Sequence, residues 1–413
     1  MKISLIETLI WSLTALLYAC FSLTTTNEEW STLSLLLITA TVAVLTFVKF
    51  GFANFSIGEF QIRILIFACY FFVSTLWAIN PDDAIARGLT VIELCACMTI
   101  FIWTYNNIKN PYVKLLKAVM WGGYIVVAYS YIFVGLGELL SMTLLGGRME
   151  SSFDNVNAIS LICSFSLILS FYFMLKEKRY LIYSLLNLPT IILLSACGSR
   201  KALVVAVMGC FAVYLMKFRL KKKRVLFLRL LLAVTIVLTL LLYLSQLSIF
   251  SGITERMEGI LAFFTGDDID HSSQLRKEMV ELGFSIFREH PFLGIGMSNA
   301  HILCYKTLGL DCYLHNNYAE ILADGGIIGA LLYYSIHIDI VWRVKRYNGL
   351  KSSDGFLILI ILFCLLLSDL SMVSYYAKNY YFFFMIFYVY INFLKKRKIK
   401  DQKVSKTLFK SCV

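Results

Sequence analysis

The segment LHNNYAEILADGGIIGALLYY, residues 314–334, opens with His315 and Asn316 and carries Glu320 and Asp324 before turning apolar through Gly325, Gly326 and Gly329. Asn316, Glu320 and Asp324 recur at every fourth residue, so in a helix they share one face. Such a stripe is costly against lipid and cheap along a wet cavity. From the residues alone two readings stay open: the rim of an active site, or an interfacial histidine with a capping asparagine and snorkelling acids. Two other stretches raise the same choice. GGRMESSFDNVNAIS (146–160) places Arg148 ahead of Asn155 and Asn157, and CGSRKALVV (197–205) places Arg200 and Lys201 at the start of an apolar run. Asparagine caps helices well, so capping and ligand contact are both open for Asn155, Asn157 and Asn316. Arg200, in a very short loop, either snorkels to headgroups or binds an anion.

The elements that must hold these residues follow from composition. Of 413 residues, 59% are hydrophobic, 15% aromatic and only four are proline, and the mean hydropathy is +0.75. An ordinary soluble globule is excluded. Windows of ~20 largely apolar residues fall at 5–25, 31–49, 61–79, 88–105, 115–137, 157–175, 180–197, 201–217, 225–247, 316–341, 355–373 and 378–394. The expected fold is an all-α polytopic membrane protein of about twelve transmembrane helices, one integral membrane domain over 1–413. Glu7 and the absence of a small-residue cleavage site argue that the first window is a retained helix rather than a signal peptide.

Lysine and arginine placement sets the expected orientation. With both termini cytoplasmic, KEKR (176–179), KFRLKKKR (217–224), WRVKR (342–346) and KKRKIK (395–400) all lie inside, as do all but ten of the 38 Lys and Arg. Residues 395–413 then form a basic cytoplasmic tail, and the net charge of +12 is mainly a topology signal suited to anionic lipid rather than nucleic acid. Seven of the eleven cysteines fall in apolar windows and pack as small hydrophobes. No Cys/His spacing argues for a metal. Cys304 and Cys312 lie together in the one long external loop, residues 248–315, between the ninth and tenth windows; they could pair in an oxidising compartment. In that loop Leu275, Met279, Leu282, Phe284 and Ile286 support an amphipathic helix that His290 and Pro291 stop. Arg256 and Arg276 join Lys277, Arg288 and Lys306 as its cations, the last three read as solvated charges.

These residues resemble a known family. HNNYAEILADGGIIG fits the pattern His, Asn, nine residues, Gly, two residues, Gly that is typical of O-antigen ligases, with His315, Asn316, Gly326 and Gly329 at its fixed positions. REHPFLGIG, following Arg276, resembles the family's upstream arginine with a Pro and Gly turn. GSRKALVV resembles its arginine at a helix start, and SSFDNVNAIS its Phe and double-Asn element. The resemblance runs in order over about residues 146–334, and the superfamily includes polysaccharide polymerases.

The resemblance implies a membrane glycosyltransferase acting at the outer face of the bacterial cytoplasmic membrane, in lipopolysaccharide, capsule or exopolysaccharide biosynthesis. Its donor would be a glycan on undecaprenyl diphosphate, and its acceptor a lipid A core sugar (ligase) or a second lipid-linked glycan (polymerase), with no cofactor or metal required. A diphosphate leaving group needs cations, and Arg200 and Arg276 lead as candidates, followed by Arg148 and Arg256. His315 would serve as base, while Asn155, Asn157, Asn316 and Glu320 would contact substrate or orient the imidazole. Under this resemblance the polar end of 314–334 is the rim of an active site and its glycines let a neighbouring helix approach. A transporter using Glu7, Glu93, Asp339 or Asp369 is the competing reading from another class, and a structural scaffold the third. His337 is expected to hydrogen-bond between helices.

Overall fold

The computed structural model describes residues 5–23, 28–145, 149, 155–217 and 271–411. These contain fourteen α-helices, one short 3-10 helix and no strand. In chain order the helices are α1 (Leu5–Leu23), α2 (Glu28–Phe50), α3 (Glu59–Ser74), α4 (Pro81–Asn106), α5 (Pro111–Phe133), α6 (Leu136–Leu145), α7 (Val156–Glu177), α8 (Tyr180–Ala196) and α9 (Arg200–Lys217). They continue with α10 (His271–Glu289), α11 (Ala300–Leu308), α12 (Asn317–Arg346), α13 (Ser353–Ser368) and α14 (Lys378–Ser411). Helices satisfy every backbone group internally, as lipid demands. Among the described residues α1, α2, α4, α5, α7 and α12 are long and apolar enough to cross a membrane, and α8 and α13 are apolar but shorter. The chain is a multi-pass membrane protein. The window at 225–247 lies outside the described residues.

Several boundaries differ from the expected ones for local reasons. α4 begins at Pro81 rather than 88: Asn80 caps it, accepting from the Asp82 amide at 3.1 Å, and proline occupies its first position. α3 ends at Ser74 rather than 79, because the Ile79 amide turns away to donate to the Ile295 carbonyl at 3.2 Å. The expected window 115–137 is interrupted at Gly135, which takes φ +90° between α5 and α6. α13 ends at Ser368 rather than 373, and α14 runs on through the basic tail to Ser411.

The chain forms two compact units. The first comprises residues 1–11, 35–116 and 275–413. Its core is an aromatic wall on α14, where Tyr380 to Tyr390 are all buried, with Phe67 and Phe71 of α3 meeting Tyr333 and Tyr375. At one end Asp339 accepts from Arg63 (2.9 Å), Arg343 (2.7 Å) and Tyr388 (2.8 Å). Glu7 is bridged by Lys49 at 2.6 Å and Lys114 at 2.7 Å. These carboxylates are structural ion pairs, a poor fit to transport sites.

The second unit comprises residues 12–34 and 117–274. α7 has most of its residues buried, from Ile159 to Ser170 without a break. Gly123 admits Ser166 of α7, whose hydroxyl donates to the Met120 carbonyl at 2.8 Å. The short turns before α8 and α9 reverse the chain twice, so α7 and α9 begin at the same end. Ser164 of α7 donates to the Ala202 carbonyl of α9 at 2.7 Å.

Candidate functional site

His315 sits at the entry to α12 with φ +55°, a left-handed conformation that a side chain adopts at some cost. Its ring lies 4.3 Å from that of Tyr313. The residues that follow fix the helix start. Asn316 is the cap, accepting from the Ala319 amide at 3.0 Å and donating to the Leu370 carbonyl at 3.2 Å. Buried Asn317 accepts from the amides of Ser374 (2.7 Å) and Tyr375 (3.2 Å) and donates to the Tyr334 hydroxyl (2.9 Å). Buried Glu320 reaches back to accept from the Leu314 amide at 2.5 Å, closing the loop that presents His315. Burial and the Glu320 carboxylate push the Tyr313 phenol up, and Arg276 pulls it back. Arg276, exposed on α10, thus acts on the same group that the His315 ring lies against.

Asp324 has a different role from its sequence neighbours. It is fully buried, its Oδ1 accepting from the Asn299 (2.9 Å) and Ala300 (2.7 Å) amides at the start of α11 and its Oδ2 from the Tyr375 hydroxyl (2.6 Å). It caps α11 across the fold.

Immediately after Asp324 the helix is broken. Gly326 has φ +59° and ψ −161°, and a side chain there would overlap the Phe292 carbonyl. The four backbone groups freed by the break pair with the turn that follows Pro291. Ile327 and Ile328 donate to the carbonyls of Pro291 (2.9 Å) and Phe292 (3.3 Å). Ile295 and Gly296 donate to those of Ala323 and Asp324, each at 3.0 Å. The turn is spliced into the helix, and Tyr70 of α3 ties the joint by donating to the Gly325 carbonyl at 2.8 Å. Gly325 and Gly329 admit Met297 and the Tyr70 ring. The glycines therefore serve a helix contact, as expected, and also this turn, which sequence reasoning missed.

Above the splice, Met279 and Ile286 of α10 bury with Ile295, Ala300, Cys304, Leu314 and Ala323. Phe284 is exposed, against expectation. Gly283 lets α10 close on α12, since a Cβ there would meet Ala319 at 3.0 Å. Cys304 and Cys312 are both free thiols; burial, with Cys312 and Glu320 nearby, pushes Cys304 up to about 12.

The remaining expected site residues belong to the second unit. Asn155 caps α7, accepting from the Asn157 (3.1 Å) and Ala158 (3.2 Å) amides. Arg200 opens α9 after Gly198 at φ +63°, and the Met149 amide donates to Ala196 on the same turn. Arg148 and Arg256 lie outside the described residues. Within the first unit His315, Arg276, Asn316 and Glu320 come together. One further cation joins them: Arg87 of α4, whose guanidinium lies 4.6 Å from the Tyr376 ring centroid. Sequence reasoning passed over it by starting α4 at 88, although Asn80, Pro81, Asp82 and Asp83 spell a helix start.

His337 makes no interhelical hydrogen bond among the described residues. Both its ring nitrogens are unpartnered, and it packs among Tyr333, Tyr334 and Phe384. Glu93 and Asp369 each keep one buried carboxylate oxygen without a partner among the described residues.

Residues 185–334 match the family described as O-antigen ligase. Over those 150 of the 413 residues the chain is similar to that family. The match spans Arg200, Arg256, Arg276, His315, Asn316 and Glu320, the segment that binds α10, α11 and α12 into one structure. Arg148, Asn155 and Asn157 lie before it, as does Arg87. No curated protein matches the chain. The match points to a glycosyltransferase-type enzyme of the O-antigen ligase kind, a class that uses lipid-linked glycans.

Proposed function

We propose that the chain transfers a glycan from undecaprenyl diphosphate to an acceptor hydroxyl at the outer face of the cytoplasmic membrane. The observation that carries this reading is His315, held in a left-handed turn between the Tyr313 ring and the capped start of α12, with Arg276 acting on that same Tyr313. His315 takes the proton of the acceptor hydroxyl. Its oxygen bonds to the anomeric carbon as the bond from that carbon to the phosphate oxygen breaks. The diphosphate leaves with both bonding electrons, and Arg276 and Arg200, with Arg148 and Arg256, bind its oxygens. Asn316 and Glu320 fix the His315 loop, and Asn155 and Asn157 border the second unit's start of α7.

In this reading twelve helices span the membrane, both termini and the 395–413 tail are cytoplasmic, and residues 248–315 form the external loop. The acceptor is a lipid A core sugar, making the protein a ligase, or a second lipid-linked glycan, making it a polymerase of capsule, exopolysaccharide or O-antigen.

The test is to incubate purified protein and its His315→Asn variant with labelled undecaprenyl-diphosphate repeat units, and separate products by size. A ladder that the variant fails to make identifies a polymerase. Product only on adding lipid A core identifies a ligase. No product under either condition overturns the transferase reading in favour of transport, for which the half-satisfied Glu93 and Asp369 are the groups to examine.

A further inference from the structure

Arg87 is half-buried on α4, and among the described residues no carboxylate forms an ion pair with it and no acceptor takes its N–H groups. Arg63 and Arg343 of the same unit are consumed by Asp339 and Glu59. Arg87 is held instead by the face of the Tyr376 ring, at 4.6 Å. A ring face restrains the guanidinium plane and leaves the donors on its edge open.

Tyr376 is itself fixed. Its neighbour Tyr375 lies 4.9 Å away ring to ring, bonds Asp324 through its hydroxyl and bonds Asn317 through its amide. The same Asn317 sets the first turn of α12, directly after His315. Arg87 also acts electrostatically on Glu320, whose second carboxylate role, accepting from Leu314, shapes the His315 loop. A pre-oriented arginine with unused edge donors, acting on the Glu320 that shapes the His315 loop, suits an oxyanion better than a structural role, which would pair it.

We propose that Arg87 is a substrate-binding residue of this site, its guanidinium edge taking a phosphate oxygen of the lipid diphosphate donor. The inference rests on the transferase reading and adds to it a cation from a helix outside the matched family segment.

The experiment uses the full chain in phosphatidylcholine nanodiscs, treated with phenylglyoxal and read at each arginine by peptide mass spectrometry. The added ligand is undecaprenyl diphosphate, undecaprenol or phosphatidylglycerol. Saturating undecaprenyl diphosphate is expected to slow modification of Arg87 by about tenfold, as a charge-assisted fork contact should, while undecaprenol and phosphatidylglycerol leave it unchanged. Equal protection by phosphatidylglycerol makes Arg87 a headgroup site and overturns the proposal. If Arg276 and Arg200 are protected and Arg87 is not, Arg87 falls and the transferase reading stands. If undecaprenyl diphosphate protects no arginine, both fall.

Arg87→Lys supplies a second reading in a variant that keeps the charge over the ring. The expected result is a donor KM raised about three- to tenfold from loss of the bidentate fork, with kcat changed less. A lowered melting temperature with unchanged KM overturns the proposal in favour of structural support.

Discussion

His315 is gripped from both sides, by the Tyr313 ring before it and by the Asn316 cap after it. Its left-handed backbone makes the choice of substitution matter. Asparagine tolerates that conformation better than alanine. His315→Asn is therefore expected to keep the wild-type melting temperature and to lower transfer by about a hundredfold or more. A variant with full activity would remove His315 from the chemistry. Glu320→Ala should act through the same loop: it frees the Leu314 amide, costs about 1–3 kcal/mol of stability, and lowers kcat with little change in donor KM. Cys304 offers a pH test. With its thiol raised to about 12 by burial, the thiolate share at pH 8 is about one in ten thousand. Iodoacetamide should label it slowly in the native protein, faster as pH rises toward 12, and at the ordinary rate once denatured. Fast labelling at pH 8 would mean that Cys304 is not buried. At this scale the sequence was partly legible. The His315, Asn316 and Arg276 grouping came from the family resemblance, whereas Asp324, on the helical face of Asn316 and Glu320, is held by the amides that open α11.

The element that decides the site is the break in α12. Gly326→Ala must accept φ +59° and displace the Phe292 carbonyl, so it should cost several times the about 1 kcal/mol of a left-handed alanine alone. Gly309→Ala, with φ +72° but open space around it, supplies that baseline; equal melting temperatures for the two would contradict the splice. Asp324→Ala removes the α11 cap and the Tyr375 partner together, and should cost about 2–4 kcal/mol, read as a lower melting temperature. Periodicity revealed that helices occupy these stretches, because lipid leaves little else. Their ends were less legible. α4 announced its start with Asn80 and Pro81, but a hydropathy window discards polar first turns, and Arg87 went with them. The break at Gly326 was hidden for another reason: GGIIG reads equally as a packing surface, and only the partner turn, some thirty residues earlier, shows that backbone groups are exchanged there.

At the scale of the whole molecule, each compact unit carries proposed phosphate-binding cations of its own, Arg276 and Arg87 in the first and Arg200 in the second. Neutralising Arg276 or Arg200 should reduce product, whereas Glu93→Gln should leave transfer within about twofold, as a substitution away from the His315 loop does; Asp369 is no such control, since its carbonyl accepts from the Asn317 amide at 2.8 Å. Loss of product in Glu93→Gln with full activity in Arg200→Ala would favour transport instead. Which residues share a unit was not legible in the sequence, because the first unit is assembled from three separated stretches. The splice between the turn after Pro291 and α12 also bears on how the chain is made. Ile295 and Gly296 leave the ribosome well before Ala323 and Asp324, the carbonyls their amides need. Buried amides without acceptors are expensive, so the turn and this part of α12 are expected to bury together, once both have been made.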